Sequence, residues 1–503
     1  MKILSLKTLF FVAVLLSSRL ALAQETTPLA NPENATDKQT ATKKVDDPSE
    51  WSKFKDSCGS LQIKQAGGCA ELLFTGKPVH IAVGSLAPQN GFATGLAYVG
   101  LIKPTETWRP NWDADAVATP NGSWRAGLYF KFVHTPLLTT IVHHGKPIKM
   151  NLTELPEHTV VNLYAQAISL NKIAYLGLGP SSTLAGRSYF GMREIIVGSN
   201  FVKPFASRWN ISLLGELNGR LVEIRPSNGN GSPTIGTLYT EASAPGLASQ
   251  PGFLQLGESV RVRPIFRDDL VHLNYQASYQ QFVAPGDSHF SFQRFNVDLG
   301  HDFSIYRSTT RYNLPRDVNG PDECSIDEID SVCSLDKKVH VKNCEEAHGK
   351  SSAECRAISR DLQGSFGLRF YFSSSFTQGQ GVVPFYFQPT LGGSDINGAP
   401  FLSSYQDYRF RAPNLFVIRQ NFEHTIWGPL GFALAADEGK IALERGDFSS
   451  NPWLRSYSVG LTLRAGGFPQ VYLLFSWGGN EGQHTIASMN NSLLGGSPRP
   501  SLN

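Results

Sequence analysis

Apolar and polar residues alternate along most of this chain. Trp124, Ala126, Leu128, Phe130 and Phe132 fall on one side of a two-residue period, with Arg125, Gly127, Tyr129 and Lys131 on the other. The same period sets Val271, Leu273, Tyr275, Ala277 and Tyr279 against His272, Asn274, Gln276, Ser278 and Gln280. It returns at Phe366–Phe372 and at Tyr457–Leu463, where Ser456, Ser458, Thr462 and Arg464 form the polar side. A period of two is that of a β-strand with unlike faces. Strands are expected near 79–86, 91–102, 108–118, 123–134, 158–177, 188–201, 208–225, 258–266, 270–283, 289–307, 365–377, 414–427, 430–441, 455–465, 470–478 and 484–494. Helical periodicity is confined to short pieces, one of them around Cys344–Ser359.

Alternation fits two architectures. A soluble sandwich turns its apolar face inward, and a membrane barrel turns it outward. The strand-rich stretch 78–494 runs on without a linker, which is long for one sandwich. Its polar faces carry Arg, Asn, Gln and Tyr, as a wet lumen would, and Trp108, Trp112, Trp124, Trp427, Trp453 and Trp477 sit at strand ends like interfacial girdles. The expected fold is therefore all-β, a 16-stranded antiparallel transmembrane β-barrel. Sixteen is an even number, as bacterial barrels require.

Composition narrows the choice further. With 503 residues, 41% hydrophobic and 17% charged, the chain is too apolar for a disordered protein and too sparsely charged for a coiled coil. Residues 1–23 read as a secretory signal peptide: Lys2 and Lys7 lead an apolar run, Leu9–Leu16, before Ala21-Leu22-Ala23. Its Lys2, Lys7 and Arg19 account for the whole formal charge of +3, so the mature chain is neutral and nucleic acid is not an expected partner. Residues 24–50 should form a flexible leader, 51–77 a short periplasmic element, and 495–503 a polar tail. Export to the outer membrane of a Gram-negative-type bacterium follows, with outer-membrane lipids as surroundings and periplasmic or outer-membrane proteins as partners.

Six cysteines suit an oxidising compartment. Cys58 and Cys69 lie close together, while Cys324, Cys333, Cys344 and Cys355 share a polar insertion, 308–364, expected on the periplasmic side. The insertion is either a docking surface or a stapled decoration. Neither cysteine set has zinc-site spacing, so disulfides are expected and their pairing is open. Catalytic fingerprints are missing, and His143-His144 and the pair Asp113 and Asp115 read as a solvated turn and a lumen lining. No enzyme activity, metal or cofactor is expected.

The last quarter of the chain carries three motifs: Pro384-Phe385-Tyr386-Phe387-Gln388-Pro389-Thr390-Leu391-Gly392-Gly393-Ser394-Asp395, Asp407-Tyr408-Arg409-Phe410-Arg411, and Asp437-Glu438-Gly439-Lys440-Ile441. Together they resemble the BamA/TamA-like outer-membrane surface-antigen superfamily. The first motif, through Leu391, Gly392 and Gly393, looks like the start of that family's sixth extracellular loop, the second like its exit, and the third like a strand-13 signature. The resemblance implies a loop folded into the lumen and pinned there by an arginine on acids of strands 12 and 13.

Here that pin is altered. Leu402-Ser403-Ser404-Tyr405 stands where the family's arginine motif would be, and Asn421-Phe422-Glu423 stands in place of its strand-12 pattern. Asp437 remains. The expectation is a rewired lock of Tyr405, Asp407, Arg409, Phe410, Arg411, Asp437 and Gly439, in which Arg409 or Arg411 serves Asp437. The alternative leaves both arginines in water and the loop loosely held. The stretch 24–77 is expected to hold no POTRA domain, and the closing strand 484–494 is weakly apolar, either an openable seam or an ordinary tolerance. The resemblance implies a role in outer-membrane biogenesis, inserting or translocating protein or lipid. The alternative is a non-catalytic pore or structural surface protein that has lost insertase activity.

Overall fold

The computed structural model describes residues 78–489 except 106, 136–138, 144–145, 151–157, 206–208, 228–232, 267–269, 313–356, 466–467 and 480. The signal peptide, the leader, the 51–77 element, all six cysteines, His144 and the tail lie outside the described residues. Sixteen long strands follow one another: β1 Val79–Ser85, β2 Phe92–Leu101, β3 Trp108–Ala118, β4 Trp124–His134, β5 Val160–Tyr175, β6 Ser188–Pro204, β7 Ile211–Pro226 and β8 Phe253–Val262. Then come β9 Val271–Val283, β10 Phe292–Tyr312, β11 Ala357–Thr377, β12 Asn414–Trp427, β13 Leu430–Ala442, β14 Leu454–Ala465, β15 Phe468–Trp477 and β16 Gln483–Met489. Each pairs antiparallel with its sequence neighbours in one sheet, from β1–β2 to β15–β16. A seventeenth member, Ile265–Phe266, continues β8 past Pro264, whose missing N–H interrupts the ladder.

The strands depart from expectation at a few ends. β8 begins at Phe253, because Leu254-Gln255-Leu256 already alternates and the ladder to β7 starts at Phe253 opposite Arg220. β10 starts only at Phe292, because Ser288–Phe290 forms a 3-10 turn whose Asp287 carboxylate accepts the His289 N–H. β10 and β11 also reach into the expected insertion, leaving 313–356 as the connection. Ala357–Ser359 is strand, not part of the expected helical piece.

Which face is buried separates the two architectures. On β14, Leu461 is 49% exposed and Tyr457 42%, whereas Ser458 is 4% and Thr462 1%. Leu96, Ile195, Val197, Leu213, Leu221, Leu256, Val260 and Phe475 are likewise exposed, against buried Arg125, Gln166, Glu194, Glu216, Asn218, Gln280 and Asn296. The sheet is inside out by the standards of a soluble protein, in which large apolar side chains rather than carboxylates fill the interior. Aromatic residues mark both ends, Trp124, Trp453 and Trp477 at one and Trp108, Trp209 and Trp427 at the other. Among the described residues no helix is long and apolar enough to cross a membrane.

The longest described connection, residues 378–413 between β11 and β12, lies against the polar face of the sheet. It touches the β1–β2 turn through Tyr408, the β5–β6 turn through Arg409, and β13 through Leu402. Contacts this far apart in strand order require the sheet to curl around the segment. Phe385, Tyr386 and Tyr408 join Leu170, Tyr175, Phe190, Phe253, Phe282 and Phe292 in the largest apolar cluster. Burying each such side chain is worth about 1.5–3 kcal/mol, so the plugged end is the interior's apolar core.

Candidate functional site

The inserted segment is held from its stem upward. Thr390–Leu391 pairs antiparallel with Phe410–Arg411, zipping the beginning of the loop to its exit. Gly392 (φ +100°) and Gly393 (φ +61°) then turn the chain through the left-handed region. A Cβ on Gly393 would lie 2.4 Å from the Asp407 backbone nitrogen, so only glycine lets the two limbs close. The Asp407 carboxylate accepts the Ser394 N–H at 2.9 Å across that gap. Burial raises its pKa above the ordinary carboxylate value, opposed by the Ser394 N–H and by the charge of His484.

The tip of the loop is pinned to the wall by Asp437. Its Oδ2 accepts the Leu402 N–H at 2.9 Å, and its Oδ1 lies 3.6 Å from Nε of Arg419 on β12. Arg419 also donates from Nη1 to the Pro400 carbonyl, so cation and anion both hold the loop. Ser404 donates its N–H to Ser456 Oγ at 2.8 Å on β14. Leu391, Phe401, Leu402, Tyr405 and Phe410 pack against Leu415, Val417 and Ile441 of β12 and β13. A Cβ on Gly439 would come within 2.8 Å of a Leu391 methyl and 3.2 Å of the Phe416 carbonyl oxygen, so the glycine leaves room for the loop's stem.

The expected pairing of Arg409 or Arg411 with Asp437 is not the one formed. Arg419 stands directly opposite Asp437 in the β12–β13 register and takes that place. Arg409 reaches Glu481 in the β15–β16 turn instead, with Nε 2.7 Å from Oε1. Its Nη1 and Nη2 donate to Ser182 Oγ and the Ser182 carbonyl at 2.8 and 2.7 Å, and its guanidinium lies over the Phe410 ring. Arg411 donates from Nη1 to the carbonyls of Phe385 and Gln388 at 2.7 and 3.3 Å. Burial pushes its pKa down to about 10, against the pull of Tyr175 and Tyr408. The alternative of two water-facing arginines fails with it, since both side chains are buried. Tyr405 packs edge-on to Phe410, and Tyr408 donates its hydroxyl to the Pro88 carbonyl at 3.2 Å.

The lock thus brings together Tyr405, Asp407, Arg409, Phe410, Asp437, Gly439 and the Leu391–Gly393 turn, and it adds Arg419, Glu481, Ser182 and Ser456. Arg419 could have been found by counting back from the Gly428-Pro429 turn, allowing for the bulge between Thr425 and Trp427. Glu481 carries no local signal. Elsewhere the polar wall neutralises itself: Glu423 meets Arg464 at 3.3 Å, Arg220 meets Glu194 at 3.1 Å, and Asp115 binds Arg125. Asp115 therefore acts as a wall residue. Among the described residues no group of three or more His, Cys, Asp or Glu could hold a metal ion.

Taken together, these features define an inverted sixteen-stranded antiparallel sheet with a locked inward segment. Among solved structures the chain is similar to BamA from Haemophilus ducreyi lacking POTRA domains 1-3, at 10% identity and a TM-score of 0.42, covering 82% of this chain and 69% of that one. CdiB from Escherichia coli is similar at 10% identity and a TM-score of 0.44, and CdiB from Acinetobacter baumannii at 9% and 0.40. This chain matches 82% and 81% of its own length to them and spans 62% and 57% of theirs. No family model and no curated protein matches the chain.

Proposed function

We propose that the sheet closes as a sixteen-stranded barrel in a bacterial outer membrane and takes part in outer-membrane biogenesis, handling protein or lipid. The observation that carries the membrane placement is the inversion of its faces. Exposed Leu, Val, Phe and Tyr on alternate positions cost little only where the surrounding solvent is hydrocarbon. The first and last strands would meet to close the wall, since an open sheet edge is not tolerated in lipid. On this reading outer-membrane lipids are the immediate partners, and periplasmic or outer-membrane proteins are the clients or collaborators. No catalytic chemistry is assigned to it.

The biogenesis role is favoured over the rival of a non-catalytic pore or structural surface protein by the plug. A segment fixed at Asp437, Ser456, Glu481 and Ser182 lies against the polar face of the sheet, and on this reading it narrows the resting lumen. Reconstituting the purified protein in liposomes tests both readings. Accelerated insertion of an unfolded client barrel, with low basal conductance, supports biogenesis. High steady conductance without acceleration would transfer support to the pore.

A further inference from the structure

Between the plug and the wall lies a cavity of about 140 Å³, room for several waters or one small ligand. Arg294 of β10 and Arg411 of the plug's stem both line it. We infer that this cavity is a binding site for a phosphate-type oxyanion, held between these two guanidinium groups.

Both cations lack an anionic partner among the described residues. Arg294 donates from Nε to Ser375 Oγ at 3.2 Å and from Nη2 to the Phe387 carbonyl, with the rings of Phe282 and Phe292 alongside. Arg411 has its two carbonyls and the rings of Tyr175 and Phe385. Every one of these partners is neutral. Among the described residues neither guanidinium is in a salt bridge, whereas the third arginine lining the cavity, Arg220, has Glu194 at 3.1 Å and Glu216 at 3.9 Å. The lining's own carboxylate, Asp395, is engaged by its turn, where Oδ1 accepts the N–H groups of Asn397 and Ala399 at 2.8 Å each. One acid facing two uncompensated guanidiniums leaves positive charge in a confined space, and confinement makes a counter-anion strongly favourable.

Unused donors sharpen the ligand's class. Arg411 Nε, Ser373 Oγ and Tyr386 Oη are buried without a hydrogen-bond partner, as are the amide oxygens of Gln280, Asn296 and Gln388, and all six residues line the cavity, so a protonated oxyanion finds both donors and acceptors there. Guanidinium and hydroxyl donors around one cavity suit a group whose several oxygens point in different directions. Phosphate has that shape, whether free or as a headgroup. A halide would leave most of these donors unused. The inference stands on the cavity alone and is independent of the biogenesis reading.

The test titrates the full-length detergent-purified protein with inorganic phosphate and follows its thermal unfolding and its isothermal heat of binding. A saturable stabilisation by phosphate but not by chloride is expected. In Arg294→Gln the apparent affinity should fall about ten- to a hundredfold, the effect of losing one charge-assisted contact. Ser373→Ala, which removes a single buried oxygen, should weaken binding several-fold and keeps the test valid if Arg294→Gln fails to fold. Organic extraction of the purified protein followed by phosphorus analysis separates the two sources: phosphorus in the lipid phase marks a headgroup, and phosphorus in the aqueous phase a free phosphate. No phosphate-specific stabilisation together with no bound phosphorus overturns the proposal. So does a stabilisation of equal size in the wild type and both variants.

Discussion

Replacing Asp437 with alanine removes the anion on which the loop tip hangs. At 3.6 Å and an effective dielectric of about 20, its attraction to Arg419 is roughly 4–5 kcal/mol before desolvation is counted. The N–H of Leu402, fully buried, loses a charged acceptor at 2.9 Å. Breaking a buried pair from one side costs about 3–5 kcal/mol. The Arg419 side chain is 16% exposed and keeps the Pro400 carbonyl, which places the cost near the lower end, about 3 kcal/mol. That penalty falls on docking of residues 400–404, because the sheet ladder around Asp437 is formed by backbone groups. An opening equilibrium shifted by about 3 kcal/mol moves by about two orders of magnitude. Limited chymotrypsin digestion in detergent reads that equilibrium at Phe401, Leu402 and Tyr405, since cleavage of a transiently opened segment tracks its population. Cleavage should be about a hundredfold faster in Asp437→Ala and less accelerated in Asp437→Asn, which keeps an acceptor for Leu402. In a double-mutant cycle with Arg419→Met the two losses should be strongly non-additive. Equal cleavage rates in wild type and Asp437→Ala, with heat-modifiable migration unchanged, would refute the lock.

Three further outcomes are expected. Leu461→Arg puts a charge on the exposed apolar face and should cost about 2–4 kcal/mol in urea unfolding from lipid vesicles, while Ser458→Ala on the same strand's inner face should cost far less; equal costs would contradict the outward placement. Gly393→Ala combines a left-handed φ of +61° with collision against the Asp407 backbone, so it should lower stability by about 2–4 kcal/mol and reduce the heat-modifiable fraction on assembly. Asp407 holds its proton more tightly when folded than the reference value of 3.8, so its contribution is full below that value and is lost as pH rises through the higher folded one. Protease protection of the plug should therefore decline as pH is raised from about 4, and Asp407→Asn should flatten that decline.

Much of the sheet is legible in the alternation, because a two-residue period fixes both the strand and its unlike faces. What alternation leaves open is the sign, inward or outward, since Leu461 and Ser458 alternate in the same way in a sandwich. In sequence the sign is argued from outside the alternation, from the length of the run, the polar faces and the tryptophans at strand ends, and the exposure of Leu461 against Ser458 agrees with it. Strand ends slip where a turn competes, as at Asp287, or where alternation begins early, as at Phe253. In the lock, Asp437 and the Leu391–Gly393 turn stand out in sequence because a short motif surrounds them. Arg419 is hidden because its pairing depends on one bulge beyond Thr425, and a single-residue slip would carry it to the other face. Glu481 is hidden more deeply. It meets Arg409 across 72 residues of chain, a distance closed only by the curl of the sheet.

The plug's backbone says something about what the lock is for. Leu402 (φ +54°) and Tyr408 (φ +61°) occupy the left-handed region without being glycine, at a cost of about 1–3 kcal/mol each. Both positions are held from outside the plug, Leu402 by Asp437 and Tyr408 by the Pro88 carbonyl. Between them, Ser404 is tied to β14, and just beyond them Arg409 grips the β15–β16 and β5–β6 turns together. In a segment strained within and clamped from several strands, losing one tie lets the strain act against the rest. A simple packed lumen would be reached at lower cost with glycine at both positions. A plug that is either fully docked or released suits a barrel whose wall or lumen must change state when a client arrives. On the proposed biogenesis reading, residues 400–411 are the segment whose release the Asp437→Ala digestion reports.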